Sequence, residues 1–248
     1  DIAEVGAGGG SIVRVDPGGS LRVGPQSAGA KPGPACYSQG GTEATVTDAN
    51  VVLGYINPTS IAGGTVSVNS EAAKVALNRS AAEHLELETN DAAYGVYAVA
   101  NTTMIRAIKS VTTYRGRDPR EFTLMAFGGS GPLHAAEMAR SLGIRQIIVP
   151  ASPGVFSALG LLEALPEYGF SRTMITDPMS EGGDKIINAF NELESSSIER
   201  LRTEDLGKDV IGSWSRTADL RYRGQAYELT VNANAGPDDD LANFIVER

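Results

Sequence analysis

A strand, a glycine-rich loop, a helix and a second strand follow one another within about 28 residues, and this order constrains the fold most strongly. Phe122–Phe127 and Ile147–Val149 are short apolar runs typical of strands. Between them, Gly128–Gly131 predicts a loop, Pro132 falls at the first helical position and Gly143 just past the helix end. Such a crossover implies parallel strands and a right-handed connection. The chain is therefore predicted to be an α/β protein.

The first 64 residues hold 14 of the 29 glycines in this 248-residue chain. Apolar residues recur through this stretch at intervals that a flexible linker lacks, so we interpret it as folded loops. Ser11–Pro25 predicts a hairpin that turns at Pro17-Gly18-Gly19. Pro25–Gly41 predicts an irregular loop, and loops of this length tend to be functional.

Three helices are predicted between the irregular loop and the strand–loop–helix unit. Thr47 or Asp48 can cap a short helix that runs through Leu53. Ser70 can cap a helix over about 71–87, and Thr89-Asn90-Asp91 opens a longer one to about Tyr114. The longer helix carries a stripe at three- and four-residue steps, which predicts a buried face: Ala93, Val96, Ala100, Met104, Ile108 and Val111.

After the second strand, the pattern predicts a helix from Ser152-Pro153-Gly154 to about Leu162 and a strand over Phe170–Thr176. Residues 184–204 predict an amphipathic helix, 213–231 two strands, and Leu241 the start of a further helix. We divide the chain into three regions, namely 1–64 with the glycine-rich hairpin and the long loop, 65–165 with a helical segment and the strand–loop–helix–strand unit, and a truncated α/β part over 166–248.

Composition excludes several classes of protein. One cysteine excludes a disulfide scaffold, and two histidines leave little for a His-rich metal site. The chain has no apolar run of 18 residues, so no membrane-spanning helix is expected. A net charge of −9 argues against nucleic acid or an anionic membrane as the main partner.

Both ends of the sequence have the pattern of an internal segment. The first methionine is Met104, and the chain opens at Asp1–Val5 as though inside a strand, with no leader pattern. The helix predicted from Leu241 reaches barely two turns before Arg248. We therefore expect a fragment of a longer, cytoplasmic protein.

Two glycine loops are candidate ligand sites. Gly128, Gly129, Ser130 and Gly131 lie between a strand and a helix N-terminus, where backbone N–H groups can face an anion; a tight turn is the equally open alternative. The run Gly8, Gly9, Gly10 and Ser11 precedes a strand, and can wrap a phosphate or substrate or form a close strand contact. Neither the dinucleotide nor the Walker pattern is present.

The remaining candidates are single side chains. Asp48 is either a helix cap or a carboxylate that activates water or orients Mg²⁺. Cys36 lies in the long loop and is either a small buried residue or a nucleophile whose base the sequence does not reveal. Ser27 lacks the glycine two residues earlier that a nucleophile elbow needs, since Pro25 stands there. His134, on the predicted helix, is interpreted as structural.

Taken together and in order, the motifs resemble the hydantoinase A / 5-oxoprolinase family, which includes ATP-dependent N-methylhydantoinase and subunits of acetone and acetophenone carboxylases. The resemblance covers about Val5 to Arg248. It is carried by Val5–Ile12, Val23–Ala30, Lys31–Tyr37, Thr47–Asn50, Phe127–Ala135 and Arg221–Glu228.

The resemblance implies an actin-like ATPase fold, built from ribonuclease H-like halves with nucleotide in the cleft. Phe127–Ala135 would then match the adenosine-side loop, while Gly8–Ser11, Ser27 and Cys36 would shape a phosphate or substrate loop. Family members carry two further N-terminal phosphate loops that do not occur here. The implied cofactors are ATP and Mg²⁺ in the full-length protein, with Asp48 as the candidate catalytic residue and no protein metal site.

Three hypotheses follow from the resemblance. The first is an ATP-dependent hydrolase that opens a cyclic amide through a phosphorylated intermediate. The second is the ATP-binding subunit of an acetone- or acetophenone-type carboxylase, since both use the same activation. The third is that the isolated chain is a non-catalytic folded domain. The implied partners are a small-molecule substrate and a hydantoinase B-type subunit in a homo- or hetero-oligomer.

Overall fold

The structure, a computed structural model, describes residues 3–164, 167–177, 183–203 and 213–234. Their contacts divide the chain into two compact units, Asp1–Ala164 and Leu165–Arg248. Helices and two-stranded sheets alternate along the first unit, in agreement with the predicted α/β class. None of the helices in these ranges combines the length and apolar character that crossing a membrane requires.

The elements of the first unit follow the chain in this order. Its helices are α1 (Val46–Val52), α2 (Ser70–Leu77), α3 (Glu83–Leu85), α4 (Thr89–Val111), α5 (Gly131–Leu142) and α6 (Phe156–Glu163). Its strands pair as β1 (Ser11–Val15) with β2 (Leu21–Ser27), β3 (Ser60–Ile61) with β4 (Val66–Ser67), and β5 (Leu124–Met125) with β6 (Ile147–Ile148).

The predicted hairpin is confirmed as the antiparallel pair β1–β2. Its turn is closed by the side chain of Asp16, whose Oδ1 accepts hydrogen bonds from the backbone N–H of Gly18 at 3.0 Å and of Ser20 at 2.9 Å. A carboxylate at the first turn position commonly bonds the backbone two residues ahead. The hairpin begins at Ser11, directly after the glycine run.

The core of the first unit lies where α1, α2 and α4 meet the hairpin. Most of its fully buried side chains are alanine or valine, and such small side chains let helices approach closely. The cluster contains Val13, Ala35, Ala44, Val46, Ala49, Ala76, Leu77, Ala81, Ala82, Ala92, Ala93, Val96 and Ala100. The predicted α4 stripe is confirmed, with Ala93, Val96 and Ala100 buried and its later members half-buried.

The predicted helix caps need correction. Thr45, not Thr47 or Asp48, is the N-cap of α1. Asn69, not Ser70, caps α2, since its Oδ1 accepts from the N–H groups of Glu71 and Ala72. Several capping residues stand next to one another at both places, and the backbone path decides which of them precedes the first helical turn.

Two predicted helices differ from the structure in extent. The helix expected over about 71–87 is interrupted, because a π-helical turn over Asn78–Ala82 separates α2 from α3. Helix α4 ends at Val111 rather than near Tyr114, because the next residue, Thr112, leaves the helical region with φ −119° and ψ −89°.

The strand–loop–helix–strand unit is confirmed. Strands β5 and β6 pair in parallel, with Leu124 opposite Ile147 and Met125 opposite Ile148. Helix α5 connects them, and Gly143 ends it in the left-handed region at φ +71°. Apolar side chains of α5 and the residues after it pack on α4 and β5, in a cluster of Ala139, Leu142, Ile144, Ile105, Ile108 and Leu124. This packing places the start of α5 near the glycine run.

The second unit contains helix α7 (Gly183–Thr203) and the antiparallel strands β7 (Thr217–Leu220) and β8 (Leu229–Asn232). These confirm the helix predicted over 184–204 and the two strands predicted over 213–231. The strand predicted over Phe170–Thr176 is wrong, because this segment has no regular structure and Ile175 is 93% exposed. The helix predicted from Leu241 lies outside the described residues.

Candidate functional site

A groove of about 590 Å³ brings three glycine-bearing segments of the first unit together. Six of the predicted site residues line it, namely Gly8, Gly9, Gly10, Gly129, Ser130 and Gly131. The other lining residues are Val5, Ala7, Gly29, Pro34, Tyr37, Thr47 and Met104. Segments that are 120 residues apart in sequence therefore share one site, within the size range of small-molecule pockets.

Gly9 is the point at which these segments touch. A Cβ atom at this position would lie 2.5 Å from Ser130 Oγ and 2.8 Å from Thr47 Oγ1, closer than Cβ atoms come to neighbouring heavy atoms in proteins. Thr47 also donates to the Gly9 carbonyl oxygen, from its backbone N–H at 2.8 Å and from its hydroxyl at 2.9 Å. The contact itself therefore requires glycine at position 9.

Two predicted residues of the glycine run and the following loop shape the groove without lining it. Ser11 Oγ accepts from the Gly8 N–H at 2.9 Å and so fixes the turn of the run. Ser27 Oγ accepts from the Gly29 N–H at 3.1 Å. One residue further on, the Ala28 N–H donates to the Gly10 carbonyl oxygen at 2.9 Å and ties the loop to the run.

The N-terminus of α5 forms one end of the groove. Ser130 occupies the N-cap position, but its side chain makes no capping hydrogen bond. The first N–H groups of a helix have no acceptor within the helix, and together with the helix dipole they favour an anion. Gly128 lies behind this end at φ +85°, and its N–H donates to the Pro153 carbonyl oxygen at 2.7 Å. Gly128 therefore shapes the loop that Gly129–Gly131 presents.

Asp48 lies behind the groove and is fully buried. Its Oδ1 accepts from the Cys36 N–H at 2.7 Å, and its Oδ2 from the N–H groups of Thr45 at 2.8 Å and Ala35 at 3.3 Å. The Thr45 hydroxyl adds a fourth bond at 2.7 Å. Both oxygens are therefore occupied. Asp48 is the acidic member of the capping box at the start of α1, whose N-cap is Thr45, and this geometry favours a structural role over a carboxylate that activates water.

Tyr37, Thr47 and Met104 line the groove but were not predicted as site residues from the sequence. Burial raises the pKa of the Tyr37 hydroxyl, and a hydrogen bond with the Thr47 side chain opposes this shift. Tyr37 and Thr47 belong to motifs that carry the family resemblance, and those motifs were the sequence signal that could have identified them as site residues. Met104 was assigned only to the buried face of α4.

Asn50 has the most unusual environment of the buried polar residues. It is fully buried, and neither its amide nitrogen nor its amide oxygen has a hydrogen-bond partner among the described residues. Its backbone carbonyl oxygen accepts from Tyr55 and Ile56. Buried amides without partners are rare and mark places where a water or ligand atom is expected.

Cys36 is fully buried beside Val51, Val68 and Ala73. Burial, reinforced by the neighbouring Asp48 carboxylate, raises the pKa of its thiol far above the ordinary value. The thiol therefore stays protonated and does not line the groove, in agreement with the small-buried-residue interpretation.

We expect iodoacetamide to label Cys36 in the folded protein at least about tenfold more slowly than in urea, because only an accessible thiolate reacts. Mass spectrometry of the peptide that contains Cys36 measures the rate at this position alone. Equal rates in the folded and urea-unfolded protein would show that the thiol reaches solvent.

An α/β unit in which glycine loops and an uncapped helix N-terminus border one groove has the features of a phosphate-binding site. A sequence profile of the hydantoinase/oxoprolinase family matches residues 1–168. The chain belongs to this family, as the motifs predicted. Across the described residues, no group of three or more His, Cys, Asp or Glu side chains is placed to hold a metal ion.

Known proteins of the family extend this assignment. The chain is 42% identical over 231 residues to the acetophenone carboxylase gamma subunit of Aromatoleum aromaticum, covering 89% of this chain and 31% of that protein. It is 35% identical over 232 residues to the caprolactamase subunit alpha of Pseudomonas jessenii, covering 93% and 33%. The crystal structure of the ATP-dependent caprolactamase from Pseudomonas jessenii superposes with a TM-score of 0.76 at 32% identity, covering 97% of this chain and 35% of that one. The chain thus spans about a third of the length of these relatives.

Proposed function

We propose that the chain is part of an ATP-dependent hydrolase that opens cyclic amides. The observation that carries the proposal is the groove in which the Gly8–Gly10 run meets the start of α5 at Gly9. Support comes from the family assignment and from a relative named as an ATP-dependent caprolactamase. We further propose that the unit belongs to an actin-like ATPase fold, in which Phe127–Ala135 forms the adenosine-side loop.

The hydrogen-bond donors around the groove suit the phosphate groups of a nucleotide. Backbone at Gly8–Gly10, Gly129 and Gly131 borders it without side chains, and the N-terminus of α5 favours negative charge. At Gly129 and Gly131 a Cβ atom would meet nothing within 4 Å, so a ligand can approach the backbone closely. The residues that line the groove include no carboxylate, so Mg²⁺ would be held chiefly through phosphate oxygens and water.

The proposed mechanism assigns positioning to these residues. When bound, ATP supplies the phosphoryl group that activates the amide oxygen, after which water opens the ring. The glycine segments hold the phosphate chain in place, and the hydroxyls of Tyr37 and Ser130 offer donors within the groove. Catalysis of phosphoryl transfer rests mainly on such positioning and on electrostatic stabilisation. Asp48 would act by fixing Ala35 and Cys36, and through them the loop that carries Tyr37.

A carboxylase subunit is the second candidate function, and the 42% identity to the acetophenone carboxylase gamma subunit favours it. Release of ADP by the intact protein separates the two. We expect stimulation by hydantoin, 5-oxoproline or caprolactam, and none by acetone or acetophenone with bicarbonate. Stimulation by a ketone alone would replace the hydrolase proposal with the carboxylase one.

We also propose that the intact protein works with a hydantoinase B-type subunit, since the two relatives compared above are themselves named as subunits. The isolated chain is proposed to be inactive alone. Co-purification of the intact protein with the product of a neighbouring B-type gene tests the partner.

Replacement of Gly129 by Leu is expected to weaken nucleotide binding by at least about tenfold, equivalent to about 1.4 kcal/mol. A Cβ at Gly129 meets no protein atom within 4 Å, so the added side chain occupies the groove and leaves the fold undisturbed. Calorimetric titration with a non-hydrolysable ATP analogue measures the affinity, and thermal unfolding serves as the control. Unchanged affinity would remove Gly129 from the nucleotide site.

A further inference from the structure

A buried polar pair joins α4 to the first turns of α5. His134 is fully buried and Asn101 is 3% exposed. His134 Nδ1 lies 2.7 Å from Asn101 Oδ1. Because an amide oxygen only accepts, Nδ1 carries the proton and Nε2 is left as an unprotonated acceptor. Nε2 has no partner among the described residues.

Two further contacts reinforce this junction. The imidazole of His134 stacks on the ring of Tyr97 from α4, with centroids 5.0 Å apart and planes at 19°. The Tyr97 hydroxyl donates to the Leu133 carbonyl oxygen at 3.2 Å. Burial lowers the pKa of His134, which agrees with a neutral ring that donates from Nδ1 alone. Tyr97 and Asn101, one turn apart on α4, therefore hold Leu133 and His134 together.

The neighbours of the buried pair along both helices line two cavities. Ser130 and Gly131 at the start of α5 and Met104 of α4 line the glycine groove. Tyr97 of α4 and Leu133 of α5 line a second cavity of about 490 Å³. Whatever fixes the first turns of α5 against α4 therefore fixes one end of the groove.

The apolar part of the α4–α5 contact fixes the rotation of α5 less strictly than the buried polar pair. Ile105 and Ile108 of α4 pack against Ala139 and Leu142 of α5, and apolar contacts of this kind tolerate small rotations. A buried hydrogen bond is directional, and a misaligned one leaves polar atoms unpaired at a cost. A single buried polar pair can therefore specify one helix register.

We propose that Asn101 and His134 are positioning residues that fix the rotation of α5 and so aim the N–H groups of Gly129–Gly131 at the nucleotide. The inference rests on the proposed function, because it requires that the groove bind a nucleotide. Neither side chain is assigned contact with the ligand, and neither lines the groove.

The test compares variants of the intact protein that separate stability from position. His134→Leu leaves Asn101 unpaired, so the melting temperature and the affinity for a non-hydrolysable ATP analogue should both fall. The double variant Asn101→Leu with His134→Leu removes both polar groups and regains most of the melting temperature, because an apolar pair avoids the unsatisfied group. Its affinity should remain at least about tenfold below wild type, since the register is no longer specified.

A second pair of variants keeps the test decisive if the leucine variants do not fold. In His134→Asn the amide nitrogen takes the place of Nδ1 and keeps the bond to Asn101, whereas in His134→Gln it takes the place of Nε2. We expect the Asn variant to bind within about threefold of wild type and the Gln variant about tenfold more weakly. Hydrogen exchange of the nucleotide-free protein over residues 128–134 should be faster in the Gln variant than in the Asn variant.

The possible results are distinct. Wild-type affinity in the double variant, or equal affinity in the Asn and Gln variants, would overturn the positioning role and leave the proposed function intact. Failure of the wild-type protein to bind the analogue would overturn both. Weak binding by a double variant whose melting temperature has recovered would support the inference. If the pair served stability alone, affinity and melting temperature would recover together.

Discussion

Replacing Asp48 by Asn is expected to lower the free energy of unfolding by about 1–3 kcal/mol for each donor left without an acceptor, although the two side chains have nearly the same shape. The carboxylate is fully buried and accepts four hydrogen bonds, from Ala35, Cys36 and twice from Thr45. An amide nitrogen cannot accept, so one or two of the donors would face another donor. A buried donor left without an acceptor costs about 1–3 kcal/mol.

The matched control is Asp16→Asn in the turn of the β1–β2 hairpin. Asp16 also accepts from backbone N–H groups, those of Gly18 and Ser20, and from the Arg22 side chain, but it is only half-buried, so water can replace these donors. Its replacement should shift the urea midpoint far less than that of Asp48. Urea unfolding followed by circular dichroism measures both midpoints on the same scale.

The same variant separates the two roles considered for Asp48. A carboxylate that activates water can usually be changed to the amide with loss of rate and little loss of stability. Here we expect stability to fall first, and turnover to fall because the loop with Tyr37 is no longer held. An Asp48→Asn protein with an unchanged urea midpoint and no ATP turnover would instead establish a catalytic carboxylate.

Local patterns predicted those parts of the fold that local chemistry determines. Pro132 and Gly143 marked the ends of α5 closely, because a proline in the first turn and a glycine in the left-handed region after the last turn are both local requirements. The stripe of α4 was visible for the same reason. The segment Phe170–Thr176 shows the limit, since a strand needs a partner that its own sequence cannot supply.

The candidate site was predictable in its parts and not in its assembly. Each glycine loop was identified, yet nothing in the sequence showed that Gly9 meets Ser130, which is 121 positions away, or that Thr47 bonds to Gly9. The role of Asp48 was left open for the same reason, because its partners Ala35 and Cys36 lie 13 and 12 positions earlier. Long-range contacts decide whether a polar residue faces a ligand or the backbone.

Replacing Gly9 by Val is expected to weaken nucleotide binding by roughly 100-fold, equivalent to about 2.7 kcal/mol, and to lower the melting temperature as well. The Cβ alone would lie 2.5 Å from Ser130 Oγ and 2.8 Å from Thr47 Oγ1. Ser130 can rotate its hydroxyl away, but Thr47 cannot do so without losing its bond to the Gly9 carbonyl oxygen. The glycine run must therefore move away from Thr47 at the start of α1, and the groove changes shape.

Gly169→Val is the control for this experiment, because a Cβ at Gly169 meets nothing within 4 Å and the residue lies in the other compact unit. The milder Gly9→Ala serves if the valine variant does not fold, with a smaller loss in the same direction. Gly9→Val and Gly129→Leu should then differ in kind, since the first reduces both stability and affinity and the second affinity alone. Wild-type affinity in Gly9→Val would mean that the meeting point of the two glycine loops is not where the nucleotide binds, and the proposed site would have to be moved.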